Sequence, residues 1–286
     1  MIKELHQNYK TTGAASAAPS IKPMEKTAML YEIKEPTVLL PLFSGCKGML
    51  LRACLEGTMG RLYADSVTAP KSALAVLGDF CFFAGLPDKR LLDASALSQK
   101  NSMILVPQTP EWGKLIEEVL HGKINKTVRF ATKKEASAFH TDALRQIVNT
   151  LPTDYRLRMI DEELFGYCAE NDWCHDFVSN YKNYAQYREM GLGVMVFQQK
   201  EALAGASSYA SFCGGIEIQI DTKEAYRRRG LASVCGAALI LSCLERGLYP
   251  NWDAQNPSSL ALAKKLGYHF DFSYPVYETT VPLRLH

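Results

Sequence analysis

The run Glu217-Ile-Gln-Ile-Asp221, then Arg227-Arg-Arg-Gly-Leu-Ala232, then a long apolar segment constrains this chain more than any other feature. It reads as a strand whose end turns into a glycine-containing loop, and the loop opens a helix. The first turn of a helix offers N–H groups without intrahelical partners at the positive end of its dipole, which makes it an anion site. Gly230 and Ala232 are small enough for the backbone to approach a phosphate closely, and Arg227, Arg228 and Arg229 keep the approach positive. Residues 231–246 carry Leu231, Val234, Cys235, Ala238, Leu239, Leu241 and Leu244, apolar nearly all round. A helix of that kind has to lie buried against a sheet. Gly236, Ala237 and Ala238 let it lie close, and Gly247 ends it.

Residues 248–254 then read as a short strand, followed by Asn256-Pro-Ser-Ser-Leu-Ala-Leu-Ala-Lys-Lys-Leu-Gly-Tyr268, a short helix. These segments resemble two motifs of the GNAT N-acetyltransferase family. One is its pyrophosphate loop, Arg or Gln, two residues, Gly, one residue, then Gly or Ala. Arg227, Gly230 and Ala232 fit it in order. The other is an Asn, a Ser and a helix ending Lys-Leu-Gly and an aromatic residue, matched by Asn256, Ser259 and Lys265-Leu-Gly-Tyr268. The resemblance implies the α/β acyl-CoA N-acyltransferase fold, a mixed sheet flanked by helices and splayed between its fourth and fifth strands. Acyl-CoA lies in that gap, as ligands of α/β sheets do off the carboxyl ends of strands.

The rest of the order agrees. Residues 155–160 predict a first strand, 162–169 and 175–189 two helices, 191–198 and 202–212 a hairpin, and 214–221 the fourth strand. Residues 268–273 and 276–283 predict a closing hairpin. Upstream, residues 1–27 are small, polar and low in complexity, a mobile tail. Residues 28–150 predict an N-terminal α/β domain: helical spacing over 49–59, strands at 61–64, 103–107 and 127–132, and helices after Thr109-Pro110 and over 141–149. Residues 72–84 form a long apolar run, and Gly85-Leu-Pro-Asp88 is turn chemistry. Leu151-Pro-Thr-Asp154 marks the boundary to a second domain, 151–286. The stretch 70–85 resembles the N-terminal region of a bacterial GNAT subfamily with an extra domain, which implies a degenerate GNAT-like unit without catalysis.

Bulk properties set limits. The 286 residues allow two ordinary domains. A net charge of +2, with no basic stripe interleaved with aromatics, predicts no nucleic-acid and no anionic-membrane partner. No apolar run reaches the ~20 residues of a bilayer span, and the start lacks a secretory signal, so a cytoplasmic protein is expected. The eight cysteines form no paired zinc knuckle and read as small buried hydrophobes; no metal is expected. Cys235 has no nearby histidine to activate it.

By resemblance, acetyl-CoA is the co-substrate and an unidentified amine the acceptor; whether a homodimer forms stays open. Backbone N–H groups near Ile218 and Gln219 would meet the thioester carbonyl, and Arg228, Arg229, Gly230, Leu231, Ala232 and Ser233 would hold the pyrophosphate, with Ile220 and Arg227 counted among the cofactor-binding residues. Glu217 shares a strand face with Gln219 and Asp221, while Ile216, Ile218 and Ile220 take the other. It is the candidate general base, against the reading of a solvated or cross-strand-paired carboxylate. Asn256 and Ser259 are candidates to bond the pantetheine arm, or else turn and helix-start residues. Trp252 and Asp253 either line the acceptor pocket or, for the tryptophan, fill the core. The family's helix tyrosine, its general acid, falls at Ala263. Tyr249, Tyr274 and Tyr277 remain as alternatives, while Tyr268 is expected in the core. The activity expected is N-acetyl transfer by direct attack in a ternary complex; the alternative is a catalytically weak acyl-CoA-binding sensor or interaction protein.

Overall fold

Two sheets carry the chain, and the arginine loop lies where they part. The computed structural model describes residues 29–46, 48–94 and 102–282; the stretch 1–27, expected to be a mobile tail, lies outside the described residues. The first half runs β1 (Tyr31–Glu32), α1 (Met49–Leu55), β2 (Arg61–Ala64), β3 (Ser72–Leu77), β4 (Phe80–Gly85) and α2 (Lys89–Ala94). It continues through β5 (Ile104–Pro107), α3 (Pro110–Val119), β6 (Ile124–Thr132) and α4 (Thr141–Val148). The second half runs β7 (Tyr155–Met159), α5 (Glu162–Glu170), α6 (Tyr184–Met190), β8 (Gly193–Gln198), β9 (Glu201–Phe212) and β10 (Gly215–Thr222). After the loop come α7 (Leu231–Glu245), β11 (Tyr249–Asn251), β12 (Asp253–Ala254), α8 (Pro257–Lys265) and β13 (Phe270–Thr279). No helix among the described residues is long and apolar enough to cross a membrane.

The halves share a plan. Each has an antiparallel run, β2-β3-β4 or β7-β8-β9-β10, whose last strand gains a parallel neighbour, β5 or β11. Each then has a helix and a final strand, β6 or β13. Those final strands are exchanged. β13 pairs with β5 of the first half, and β6 pairs with β12 of the second, so the eight-stranded sheet reads β1-β2-β3-β4-β5-β13-β6-β12. The five-stranded sheet reads β11-β10-β9-β8-β7. One stretch of chain, 249–254, therefore serves both sheets.

Local chemistry explains most elements. Thr109 caps α3 by accepting from Trp112 N at 3.4 Å, with Pro110 in the first turn. Helix α7 is buried as its composition demands, packing with Ile216, Ile218, Leu203 and Ala206 of the sheet. A Cβ built at Gly236 would lie 2.7 Å from Leu266 Cδ1 and 3.1 Å from Ile220 Cδ1, so a larger residue at this turn would push those side chains aside.

Three sequence expectations change, and one run without an assigned element gains one. The helix expected over 49–59 ends at Leu55, because the chain folds back so that Ala53 O takes the N–H of Thr58 (3.0 Å) and Met59 (3.2 Å). The apolar run 72–84 is the hairpin β3–β4, turning at Gly78-Asp79. The helix expected over 175–189 splits into a 3-10 turn, Asp172–Phe177, and α6. Tyr181 between them drops into the core, its hydroxyl donating to Ser208 Oγ at 2.6 Å, and Asn183 caps α6. The closing hairpin is instead the single strand β13, since β6 supplies its partner. Pro275 fits because β13 is paired there on the β6 side only.

Candidate active site

The strand pair β10–β11 forks. Its register runs Gly215↔Tyr249 to Glu217↔Asn251 and stops, because the chain turns at Trp252 and Asp253 pairs with Ala131 of β6. Tyr249 N donates to Gly214 O at 2.8 Å, and amide directions alternate along a strand. The amides of Ile216, Ile218 and Ile220 therefore face the β11 edge, whereas that of Gln219 faces β9. The last rung, Glu217↔Asn251, engages the Ile218 amide. Ile220 N–H is the first amide on the β11 side past the fork.

The loop after β10 is wound by two left-handed residues, Arg228 (φ 65°) and Gly230 (φ 83°). Only glycine adopts that conformation without cost, so Arg228 is held there against its preference. Arg227 Nε donates to Thr222 O at 3.2 Å, and Arg229 donates to Ala225 O at 3.2 Å while lying over the Tyr226 ring. Arg228 is exposed. No side chain caps α7, whose first turn is left open to an anion. Lys265 adds a second positive group there, its Nζ donating to Ser233 Oγ at 3.1 Å. A cavity of about 740 Å³ runs from this turn to the fork. It is lined by every expected donor-site residue except Arg229: Ile218, Gln219, Ile220, Arg227, Arg228, Gly230, Leu231, Ala232, Ser233, Asn256 and Ser259.

Asn256 and Ser259 already have structural work. Asn256 Oδ1 caps α8 by accepting from Ser259 N at 2.9 Å, and Ser259 Oγ accepts from Trp252 Nε1 at 3.1 Å. Asn256→Ala is expected to lower stability by about 1 kcal/mol in urea denaturation.

Glu217 is buried at 4% exposure on the face opposite the isoleucines. Its Oε2 accepts from Asn251 Nδ2 at 2.7 Å and its Oε1 from Asp253 N at 3.0 Å. Burial, and then the charge of Asp253, push its pKa up to about 8, although Asn251 and Arg129 pull the other way. Asp253 in turn accepts from Arg129 Nε at 2.6 Å and from the Tyr274 hydroxyl at 2.6 Å. Arg129 lies over the Phe80 ring, 4.9 Å from its centroid. Asp253 and Arg129 are thus the support of Glu217, and they come from opposite halves of the sequence.

Of the alternative tyrosines, Tyr249 donates to Lys133 O and Tyr277 to Glu117, both outside the two cavities. Tyr274 lies at the site, but burial and the neighbouring Asp253 push its phenol well up, so it is a weak acid. Tyr268 is in the core, donating to Pro250 O at 2.6 Å, and Ala263 is fully buried. Sequence reasoning missed a second pair, Tyr209 and Asp79. A bulge in β9 between the partners of Glu217 and Ile218 inserts Tyr209. Its hydroxyl donates to Asp79 and accepts from Asp79 N at 3.0 Å. Both residues line the larger cavity. Cys235 is buried and its thiol pushed up to about 12, the opposite of an activated nucleophile.

A second cavity of about 480 Å³ lies on the other side of Glu217, walled by first-half residues such as Met49, Leu50, Phe82 and Val106. Leu50, Phe80, Glu217, Trp252 and Asp253 border both cavities. An anion-binding first turn, a forked strand edge and a buried carboxylate of raised pKa between two chambers suit a group transfer from a phosphorylated carrier.

Known proteins share this architecture. The family model for GNAT acetyltransferase matches residues 40–277. The chain is 43% identical to a GCN5-related N-acetyltransferase-like protein from Streptococcus suis, whose crystal structure covers 86% of this chain and 98% of its own, with a TM-score of 0.82. It is 26% identical over 229 residues, 76% of this chain and 85% of the relative, to YdfB of Bacillus subtilis, an uncharacterized N-acetyltransferase. A tandem GNAT protein from the clavulanic acid biosynthesis pathway shares the fold at a TM-score of 0.51 and 10% identity, over 88% of this chain and 98% of that one. The chain belongs to the GNAT acetyltransferase family.

Proposed function

We propose that the chain transfers an acetyl group from acetyl-CoA to a primary amine by direct attack in a ternary complex, in the cytoplasm. The observation that carries this reading is Glu217, a buried carboxylate with a pKa of about 8 set where the two cavities meet. A base of that strength is matched to taking the proton of an attacking amine near neutral pH. The open first turn of α7 suits the pyrophosphate, and Ile220 N–H, past the fork, suits the thioester oxygen as negative charge develops on it. Fixed donors of this kind are worth on the order of 10²–10³ in kcat. The nitrogen–carbon bond forms, the carbon–sulfur bond breaks, Glu217 takes the amine proton, and the leaving thiolate takes a proton from solvent.

The site's composition supports a division of labour between residues 28–150, a degenerate GNAT-like unit that walls the acceptor, and residues 151–286, which hold the donor. The exchange of β6 and β13 argues that this is a division of role and that the halves fold together.

Gly230→Asp is expected to weaken acetyl-CoA binding by more than tenfold, read by calorimetry. Apart from its chain neighbours, nothing lies within 4 Å of the added Cβ, so the loss would come from placing a carboxylate at the phosphate and from the left-handed backbone. Ala263 in place of the family's tyrosine favours the second reading, an acyl-CoA sensor. Sustained CoA release in the presence of an amine panel eliminates the sensor. Binding of acetyl-CoA with no release on any amine eliminates the enzyme.

A further inference from the structure

We infer that the acceptor is a small primary amine with an apolar body, aryl or branched alkyl, whose nitrogen sits at Glu217 and whose body fills the chamber walled by the first half. This rests on the acetyltransferase reading above and adds the chemistry of the substrate.

Three features of the roughly 480 Å³ chamber point this way. First, its inner wall is apolar and fixed. Met49, Leu50, Leu51, Phe80, Phe82 and Val106 are all buried, and Phe80 and Phe82 stack with centroids 5.9 Å apart. The volume lies within the range of small-molecule pockets, about 300–1,000 Å³.

Second, several polar side chains on the inner wall are already committed to the protein. Thr132 Oγ1 donates to Trp252 O at 2.7 Å, Asn251 Nδ2 to Glu217, and Gln108 Nε2 to Val106 O at 3.4 Å. Both oxygens of Asp253 accept, from Arg129 and Tyr274. A sugar or an aminoglycoside would press most of its hydroxyls against the apolar inner wall, and each hydroxyl left without a partner is costly. An apolar body has no such need.

Third, charge is distributed for a cation without a carboxylate. Among the described residues, the cationic side chain on this wall is Lys134, which is exposed at the rim beside the exposed Asp271. The buried end holds Glu217 and Asp253. An amino acid would place its carboxylate against that acidic end or against the apolar wall, and a polyamine would bury a second ammonium among Phe80, Phe82 and Val106. A protein lysine would bring its polar backbone up to the apolar chamber. Monoamines avoid all three penalties.

The test uses the intact protein with saturating acetyl-CoA and a panel of 2-phenylethylamine, 3-methylbutylamine, lysine, spermidine, glucosamine and a lysine-containing peptide, followed by CoA release. The expected result is kcat/KM at least tenfold higher for the first two amines than for any other, the discrimination an apolar pocket can supply. In Phe82→Ala the KM for 2-phenylethylamine should rise on the order of tenfold, with acetyl-CoA affinity unchanged by calorimetry. If that variant does not fold, the panel on the unmodified protein still decides. Turnover on lysine, spermidine, glucosamine or the peptide equal to or above the monoamines overturns the inference and leaves the acetyltransferase standing. Acetyl-CoA binding without turnover on any of the six overturns both.

Discussion

Glu217→Gln is expected to lower kcat on the order of 10²-fold with acetyl-CoA affinity little changed. Glutamine keeps the size, and its one amide oxygen can still accept from Asp253 N; its NH2 then meets the Asn251 amide, which can turn over to present its oxygen, so the fork should hold its shape. What disappears is a group able to take a proton. In the parent protein the acidic limb of kcat/KM should follow the ionisation of Glu217, near pH 8. In the variant that limb should give way to a slope set by the amine itself, with activity partly recovered at high pH as free amine accumulates. An unchanged rate and an unchanged profile would make Glu217 a structural carboxylate.

The same substitution should affect stability in the opposite direction. In the unfolded chain the carboxyl titrates near 4.5, and in the folded protein near 8. Below pH 4.5 both states hold the proton. Between these values the unfolded chain releases it and the folded chain keeps it, so stability falls as pH rises through this window. Glutamine does not titrate, so its advantage in melting temperature should be small at pH 4 and largest above pH 8. A protein that loses rate while gaining stability is what a base held in a buried site would give.

The part of this site that can be read in the sequence is the part built from neighbours in the chain. Strand β10, the arginine loop, α7 and α8 follow from period, a left-handed glycine, an apolar surface and an asparagine cap, each local. The exchange of β6 and β13 leaves no such trace, because strands buried by either half carry the same alternation. Residues 268–283 consequently read as a hairpin, although their partner lies far upstream. Arg129 and Asp253 are 124 positions apart. The one local hint is an arginine between two apolar residues of a strand, Val128-Arg-Phe130, which asks for a buried partner without saying where it is. Tyr209 is missed for a different reason. Its aim depends on a bulge in β9, and nothing in the residues 201–212 marks where the extra one falls.

Arg129→Met is expected to have the largest effect on stability, a loss of about 3–5 kcal/mol in urea denaturation, since it strands Asp253 as an unpaired charge in a mostly buried setting. The Arg129 and Asp253 side chains are 9% and 16% exposed, so water can replace little of what is lost. Asp253→Asn should cost less, because the oxygen of the new amide would still accept from Arg129. The two variants separate in what they do to Glu217. Arg129 lowers the pKa of Glu217 and Asp253 raises it. Removing the arginine should therefore move the acidic limb of kcat/KM above pH 8, and removing the aspartate charge should move it below. Opposite shifts would mean that Glu217 works in the field of a pair drawn from both halves of the chain, which gives the exchanged strands a catalytic consequence. Shifts in the same direction, or none, would reduce the pair to a structural tie between β6 and β12.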